Sequence, residues 1–165
     1  MTINIDDLIL KFSDSTEKQQ RLIFNSLFII SNKLQTIFDN HIPELSLKQF
    51  LLLSTVRQSE EPLAFTQLGE LLGCSRQNIK KIADVLMKKG FVTIEKSPAD
   101  PRAMYICPTE KADAYFQTDF SEYQGELKYL FNVYTEDEVK TLFTLLPMLY
   151  KGIEYLETRI TDEEK

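Results

Sequence analysis

At Gly90 the apolar spacing of the chain changes from a helical period to a strand period, and this change limits the fold more than any other feature. Before it, Ile79, Ile82, Ala83 and Leu86 recur on one face of a helix expected over 76–89, which Ser75 caps and Gly90 stops. After it, Phe91-Val92-Thr93-Ile94-Glu95-Lys96 alternates like a half-buried strand. Ser97 to Arg102 is turn-rich, and Ala103 to Cys107 returns as a second strand that Pro108 ends. Upstream, a short helix capped by Thr66 runs through Leu72, with Gly73 placed as its C′ residue. The central segment is therefore helix, tight turn at Gly73-Cys74-Ser75, helix, hairpin. The two helices have the length of a helix-turn-helix.

Long helical patterns flank this segment. From Asp14, with Glu17 three residues on as a capping partner, apolar residues fall at positions 22, 23, 27, 30, 34, 37 and 38. Phe24, Phe28 and Ile29 widen that stripe, so the helix is buried on more than one side, by its own chain or by a partner. His41-Ile42-Pro43 ends it. Ser46-Leu47-Lys48-Gln49 is a capping box, with Leu45 and Phe50 as its staple, and opens a helix to about Arg57. Leu63-Ala64-Phe65 is long enough only for a strand fragment. Thr109 is expected to cap a helix running into the 120s. Thr135 to Glu138 is a second capping box, and Pro147 is expected to kink the helix that follows. With only five glycines and six prolines, the fold class is mainly α with one small β-hairpin.

The net charge of −6 argues against a polyanionic partner until its distribution is read. Residues 75–102 hold Arg76, Lys80, Lys81, Lys88, Lys89, Lys96 and Arg102 against Asp84, Glu95 and Asp100, a local charge of +4. The remainder of the chain carries −10. A polyanion meets the local field, not the average. The face opposite the apolar residues of the 76–89 helix shows Gln77, Lys80, Lys81, Asp84 and Lys88. Its first turn, Ser75-Arg76-Gln77-Asn78, supplies side chains able to bond both phosphates and base edges. A helix N-terminus also favours a phosphate, and a major groove about 12 Å wide admits one helix. At the hairpin, Arg102 beside Lys96 can enter a narrow minor groove, with Asp100 placed to orient Arg102.

The run from Leu68 to Val92 resembles the helix-turn-helix core of MarR-family transcriptional regulators. Asp100-Pro101-Arg102-Ala103, followed by Thr109-Glu110-Lys111, is similar to that family's wing motif and the start of its next helix. The resemblance covers roughly residues 14–160. Pro108 and Ala112 depart from it, standing where leucine and glycine are usual. It implies a winged helix-turn-helix core flanked by long dimerisation helices. These are an N-terminal region over 1–45, a DNA-binding lobe over 46–108 and C-terminal helices over 109–165. It further implies a homodimer on a pseudo-palindromic operator, acting more as repressor than activator. Ser75, Arg76, Gln77, Asn78, Lys80 and Lys81 match the recognition helix. Lys96, Asp100 and Arg102 belong to the wing. A small aromatic or anionic effector is expected between the dimerising and DNA-binding regions, and no cofactor.

Other classes find little support. No GxSxG, P-loop, HExxH or dinucleotide fingerprint occurs, so no enzyme is expected. His41 is the sole histidine and caps or packs a helix end, with no metal-ligand spacing around it. Cys74 and Cys107 read as small apolar fillers suited to a reducing cytosol. Apolar runs reach four residues where a membrane span needs about 20. No basic leader opens the chain, so a cytoplasmic protein is expected. The eleven Phe and seven Tyr are expected mostly in the core. The competing reading is a winged helix that binds protein instead of DNA.

Overall fold

Ser46, Ser75 and Thr135 each start a helix where their sequence patterns place one. The computed structural model describes residues 4–42, 44–96, 104–125 and 127–163. Ten helices and three strands lie within these residues. They fall into two compact units, Met1–Phe120 and Ser121–Lys165.

The first unit begins with α1 (Ile5–Lys11), capped by Asn4, and α2 (Thr16–His41). Ser15, not Asp14, caps α2, its hydroxyl accepting from the Lys18 N–H at 3.4 Å. Asp14 instead accepts from Lys18 Nζ at 2.6 Å, which holds its carboxyl below the usual carboxylate range. His41 sits at the end of α2 with Nδ1 2.8 Å from the Ile37 carbonyl oxygen, the helix-end role expected of it. Helix α3 (Leu47–Gln58) carries the full Ser46–Gln49 capping box. Strand β1 (Leu63–Ala64) leads directly into α4 (Phe65–Leu72). Thr66 does not cap α4. The helix starts one residue earlier, and the Gln67 side chain accepts the Ala64 N–H at 2.9 Å. Helix α5 (Arg76–Lys88) follows the turn, then β2 (Val92–Lys96), β3 (Met104–Pro108) and α6 (Glu110–Gln117).

The sheet is antiparallel in the order β1-β3-β2, with Ile94 and Leu63 both opposite Ile106. Pro108 is the last residue of β3 and pairs with Val92. The fragment β1 thus gives the hairpin a third strand.

The core sits between α3, α4, α5 and this sheet. Leu52, Leu53, Leu68, Ile79, Leu86 and Phe91 are fully buried, and Ala83 lies among them. Ile82 is only half-buried, at the edge of the apolar stripe. Phe38, Phe50, Phe116 and Phe120 form an aromatic group in which the Phe50 and Phe120 rings lie 4.4 Å apart. Each fully buried large side chain stabilises by about 1.5–3 kcal/mol, and the half-buried Phe38, Phe50 and Phe116 by less.

One sequence expectation fails in the C-terminal third. A single helix from Thr109 into the 120s does not form. Helix α6 stops at Gln117, α7 covers Asp119–Gln124 and α8 covers Leu127–Phe131. Thr118 bonds its hydroxyl back to the Ala114 carbonyl at 2.8 Å, and Gly125 follows α7, both adverse to a continuing helix. Pro147 divides the last pattern into α9 (Glu136–Leu145) and α10 (Met148–Glu163). Leu146 keeps helical dihedrals, so the interruption expected at Pro147 is local.

The aromatic residues also divide differently from expectation. Phe24, Phe28, Phe131, Phe143, Tyr129, Tyr150 and Tyr155 are exposed in the single chain. From Ser121 onward no described side chain is buried.

Candidate nucleic-acid interface

The turn between α4 and α5 is held by backbone geometry that few residues permit. Gly73 ends α4 with φ +64°, the left-handed conformation that favours glycine. The Cys74 N–H then donates to the Gly69 carbonyl at 2.8 Å. Gly69 is buried, and a Cβ there would lie 2.6 Å from the Cys74 carbonyl oxygen. The absent side chain at 69 is what lets α5 begin so close to α4.

Ser75 caps α5, its Oγ accepting the Asn78 N–H at 3.2 Å. Three core contacts, from Ile79, Ala83 and Leu86, fix the rotation of α5 about its axis. That rotation leaves Arg76, Gln77, Lys80 and Lys81 exposed and Asn78 half-buried. Ser75→Ala is expected to lower stability by about 1 kcal/mol through the lost cap. A thermal denaturation series against the unsubstituted chain checks this.

The structure brings Arg76, Gln77 and Lys80 together along one open groove of about 770 Å³ between α5 and the hairpin. Asp84 joins them on its polar side. Phe65, Met87, Ile94 and Met104 form its apolar lining. Of the other expected contacts, Ser75, Asn78 and Lys81 lie on α5 or its cap but do not line the groove. Lys96 is exposed at the end of β2, paired in register with Met104. Asp100 and Arg102 lie outside the described residues. Sequence spacing does not single out the apolar lining. Met87 reads as solvated helix surface, and only the strand period marks Ile94 as facing inward.

Cys74 packs against the core, and Cys107 is half-buried on β3. Burial, with the charge of Glu95 second, pushes the Cys107 thiol up. A raised pKa suppresses the thiolate that oxidation requires. Among the described residues, no three His, Cys, Asp or Glu side chains gather as a metal site. No helix among them is long and apolar enough to cross a membrane.

The chain belongs to the MarR family of transcriptional regulators. The MarR family model matches residues 45–104, from the start of α3 through the beginning of β3. The uncharacterized HTH-type transcriptional regulator YpoP of Bacillus subtilis (strain 168) is 30% identical over 123 residues, covering 74% of this chain and 84% of that protein. Among solved structures, a MarR protein of Peptoclostridium difficile superposes with a TM-score of 0.74 at 21% identity, over 84% of this chain and 91% of that one. The MarR-family regulator Sco3205 of Streptomyces coelicolor, solved in complex with DNA, gives a TM-score of 0.71 at 19% identity. The match covers 84% of this chain and 92% of that one.

Proposed function

We propose that the chain binds a pseudo-palindromic operator as a homodimer and represses transcription from it, with release by a small aromatic or anionic effector. The observation that carries the DNA-binding part is the exposed Arg76, Gln77 and Lys80 face of α5, set beside the hairpin in a stretch, residues 75–102, whose net charge is +4. In this reading, α5 enters the major groove, with Gln77 reading a base edge and Arg76 and Lys80 meeting phosphates or guanine. The hairpin crosses to the adjacent minor groove. The DNA-bound state of Sco3205 supports the reading at the level of the fold.

The homodimer rests on the exposed apolar residues of α2, α9 and α10, among them Phe24, Phe28, Phe143 and Leu156. Soluble monomers rarely expose continuous apolar patches beyond a few hundred Å². A second copy of the chain covers such faces symmetrically. The division into dimerising ends and a central DNA-binding lobe belongs to this proposal. So do repression and effector release, which follow from the family resemblance.

Salt dependence tests the proposal. Phosphate contacts make log K fall linearly with log salt, with a slope of about −0.9 per phosphate neutralised. Binding to duplex DNA is expected to show that fall, and Arg76→Ala is expected to flatten it by about one unit. Gln77→Ala is expected to reduce preference for the selected sequence more than it reduces non-specific affinity. Binding to duplex that is independent of salt contradicts the proposal and favours a protein partner.

A further inference from the structure

The reading end of α5 is held from its opposite end. At the C-terminal end, Lys89 Nζ donates to the Glu44 carbonyl and to Gln49 Oε1, the latter at 3.0 Å. Lys111, from the first turn of α6, pairs with Glu44 Oε2 at 3.0 Å and donates to the Lys89 carbonyl at 3.1 Å. Its Nζ also lies 4.3 Å above the Phe91 ring. Thr109 Oγ1 donates to the Gly90 carbonyl at 2.7 Å. The carbonyls that a helix leaves unpaired at its end are thus taken up by the element that follows the hairpin. Glu44 lies between α2 and α3 with φ +65°, a left-handed conformation that glutamate rarely adopts. Three segments distant in sequence therefore meet around one lysine.

The geometry points to Lys111 as a positioning residue. With Glu44 and Lys89 it forms a clasp that fixes the tilt of α5 relative to the end of α2. It thereby sets the separation of the two recognition helices in the dimer, an inference that rests on the dimeric DNA-binding reading above. Lever arm explains why so peripheral a contact has this effect. At 1.5 Å per residue α5 is about 20 Å long, so a tilt of about 5° at its C-terminal end moves its N-terminus by roughly 1.7 Å. The clasp side chains are about half exposed, 48% for Lys111 and 50% for Glu44. Exposed pairs of this kind contribute little to global stability. Removing the clasp should therefore change geometry without unfolding the protein.

The test compares affinity for the selected operator with affinity for the same half-sites moved apart or together by one base pair. Lys111→Met, Glu44→Gln and the double variant are measured against the unsubstituted chain, with Lys111→Arg as the conservative replacement. The spacing discrimination is expected to fall about twofold to thirtyfold in the single variants, the range seen for coupling residues. The double variant should lose no more than either single one, and Lys111→Arg should retain the original discrimination. Thermal midpoint and non-specific DNA affinity should stay near those of the unsubstituted chain. Variants that keep the sharp spacing preference overturn the inference alone. So does an equal loss on all DNA sequences, which makes Lys111 a phosphate contact. An unsubstituted chain that binds duplex DNA without any spacing preference overturns the dimeric reading and the inference with it.

Discussion

Phe28→Asp is expected to convert the protein from dimer to monomer across the concentration range in which the unsubstituted chain associates. Phe28 is 58% exposed in the single chain and Phe24 60%, and their rings meet edge to face at 5.0 Å. Ile23, Leu27 and Ile30 continue the same exposed apolar surface along α2. Burying a phenylalanine stabilises an interface by about 1.5–3 kcal/mol, and a carboxylate in its place adds a desolvation penalty. In a two-fold interface each substitution counts twice. The loss is therefore at least about 4 kcal/mol, or roughly a thousandfold in the dimer Kd. Sedimentation velocity over a dilution series measures it directly. Operator affinity should fall with it, because one half-site no longer brings the second into reach. A variant that sediments as a dimer at the same concentrations as the unsubstituted chain removes this face of α2 from the interface.

Gly69→Ala is the second substitution with a large expected effect. Its Cβ would stand 2.6 Å from the Cys74 carbonyl oxygen, a backbone atom that cannot rotate away. Overpacking of this kind costs about 1–3 kcal/mol, offset by up to about 1 kcal/mol of improved helix propensity. The larger consequence is geometric, since relief of the contact moves Cys74 and Ser75 and with them the start of α5. Operator affinity is expected to fall more than tenfold while far-ultraviolet circular dichroism stays helical. Gly73→Asn is the informative control. Position 73 has open space around it and needs only the left-handed backbone, which asparagine tolerates. It should leave DNA binding nearly intact. Equal effects at the two positions contradict the close-approach explanation for Gly69.

The central lobe was readable from the sequence because its signals are local. Ser46 with Gln49 and Ser75 each place a hydroxyl where a helix start needs an acceptor, and Thr135 with Glu138 does the same in the C-terminal region. Gly73 and Gly90 both take positive φ. The change of period at Gly90 separates α5 from β2 across three residues. Expectations failed where two local choices compete. Ser15 and Asp14 are both good caps, and Lys18 draws Asp14 away as an ion-pair partner. At the start of α4, Gln67 satisfies the Ala64 N–H and the helix begins before Thr66 can cap it. Breaks at Thr118 and Gly125 interrupt a helical pattern that apolar periodicity alone reads as continuous, whereas the interruption at Pro147 is the one its ring leads one to expect.

The groove was less legible than the helix that borders it. Arg76, Gln77 and Lys80 follow from one face of α5, but Phe65 and Met104 come from other elements and meet them only through the antiparallel register of β1, β2 and β3. The clasp around Lys111 has the same character. It joins residues 44, 89 and 111, and no pattern within any one segment announces it. The wide apolar stripe of α2 was visible in the sequence as a demand for a partner. Nothing in the stripe itself distinguishes an internal partner from a second copy, and the exposure of Phe24 and Phe28 in the single chain is what the proposed dimer rests on.

Selection of bound sequences from a random duplex pool, at low and at near-physiological salt, tests the central claim most directly. A dimer reading through two copies of α5 should enrich a pseudo-palindrome whose half-sites lie about one helical turn apart, with the enrichment persisting at the higher salt. Retention of duplex only at low salt, with no sequence enriched under either condition, contradicts sequence-specific reading by α5.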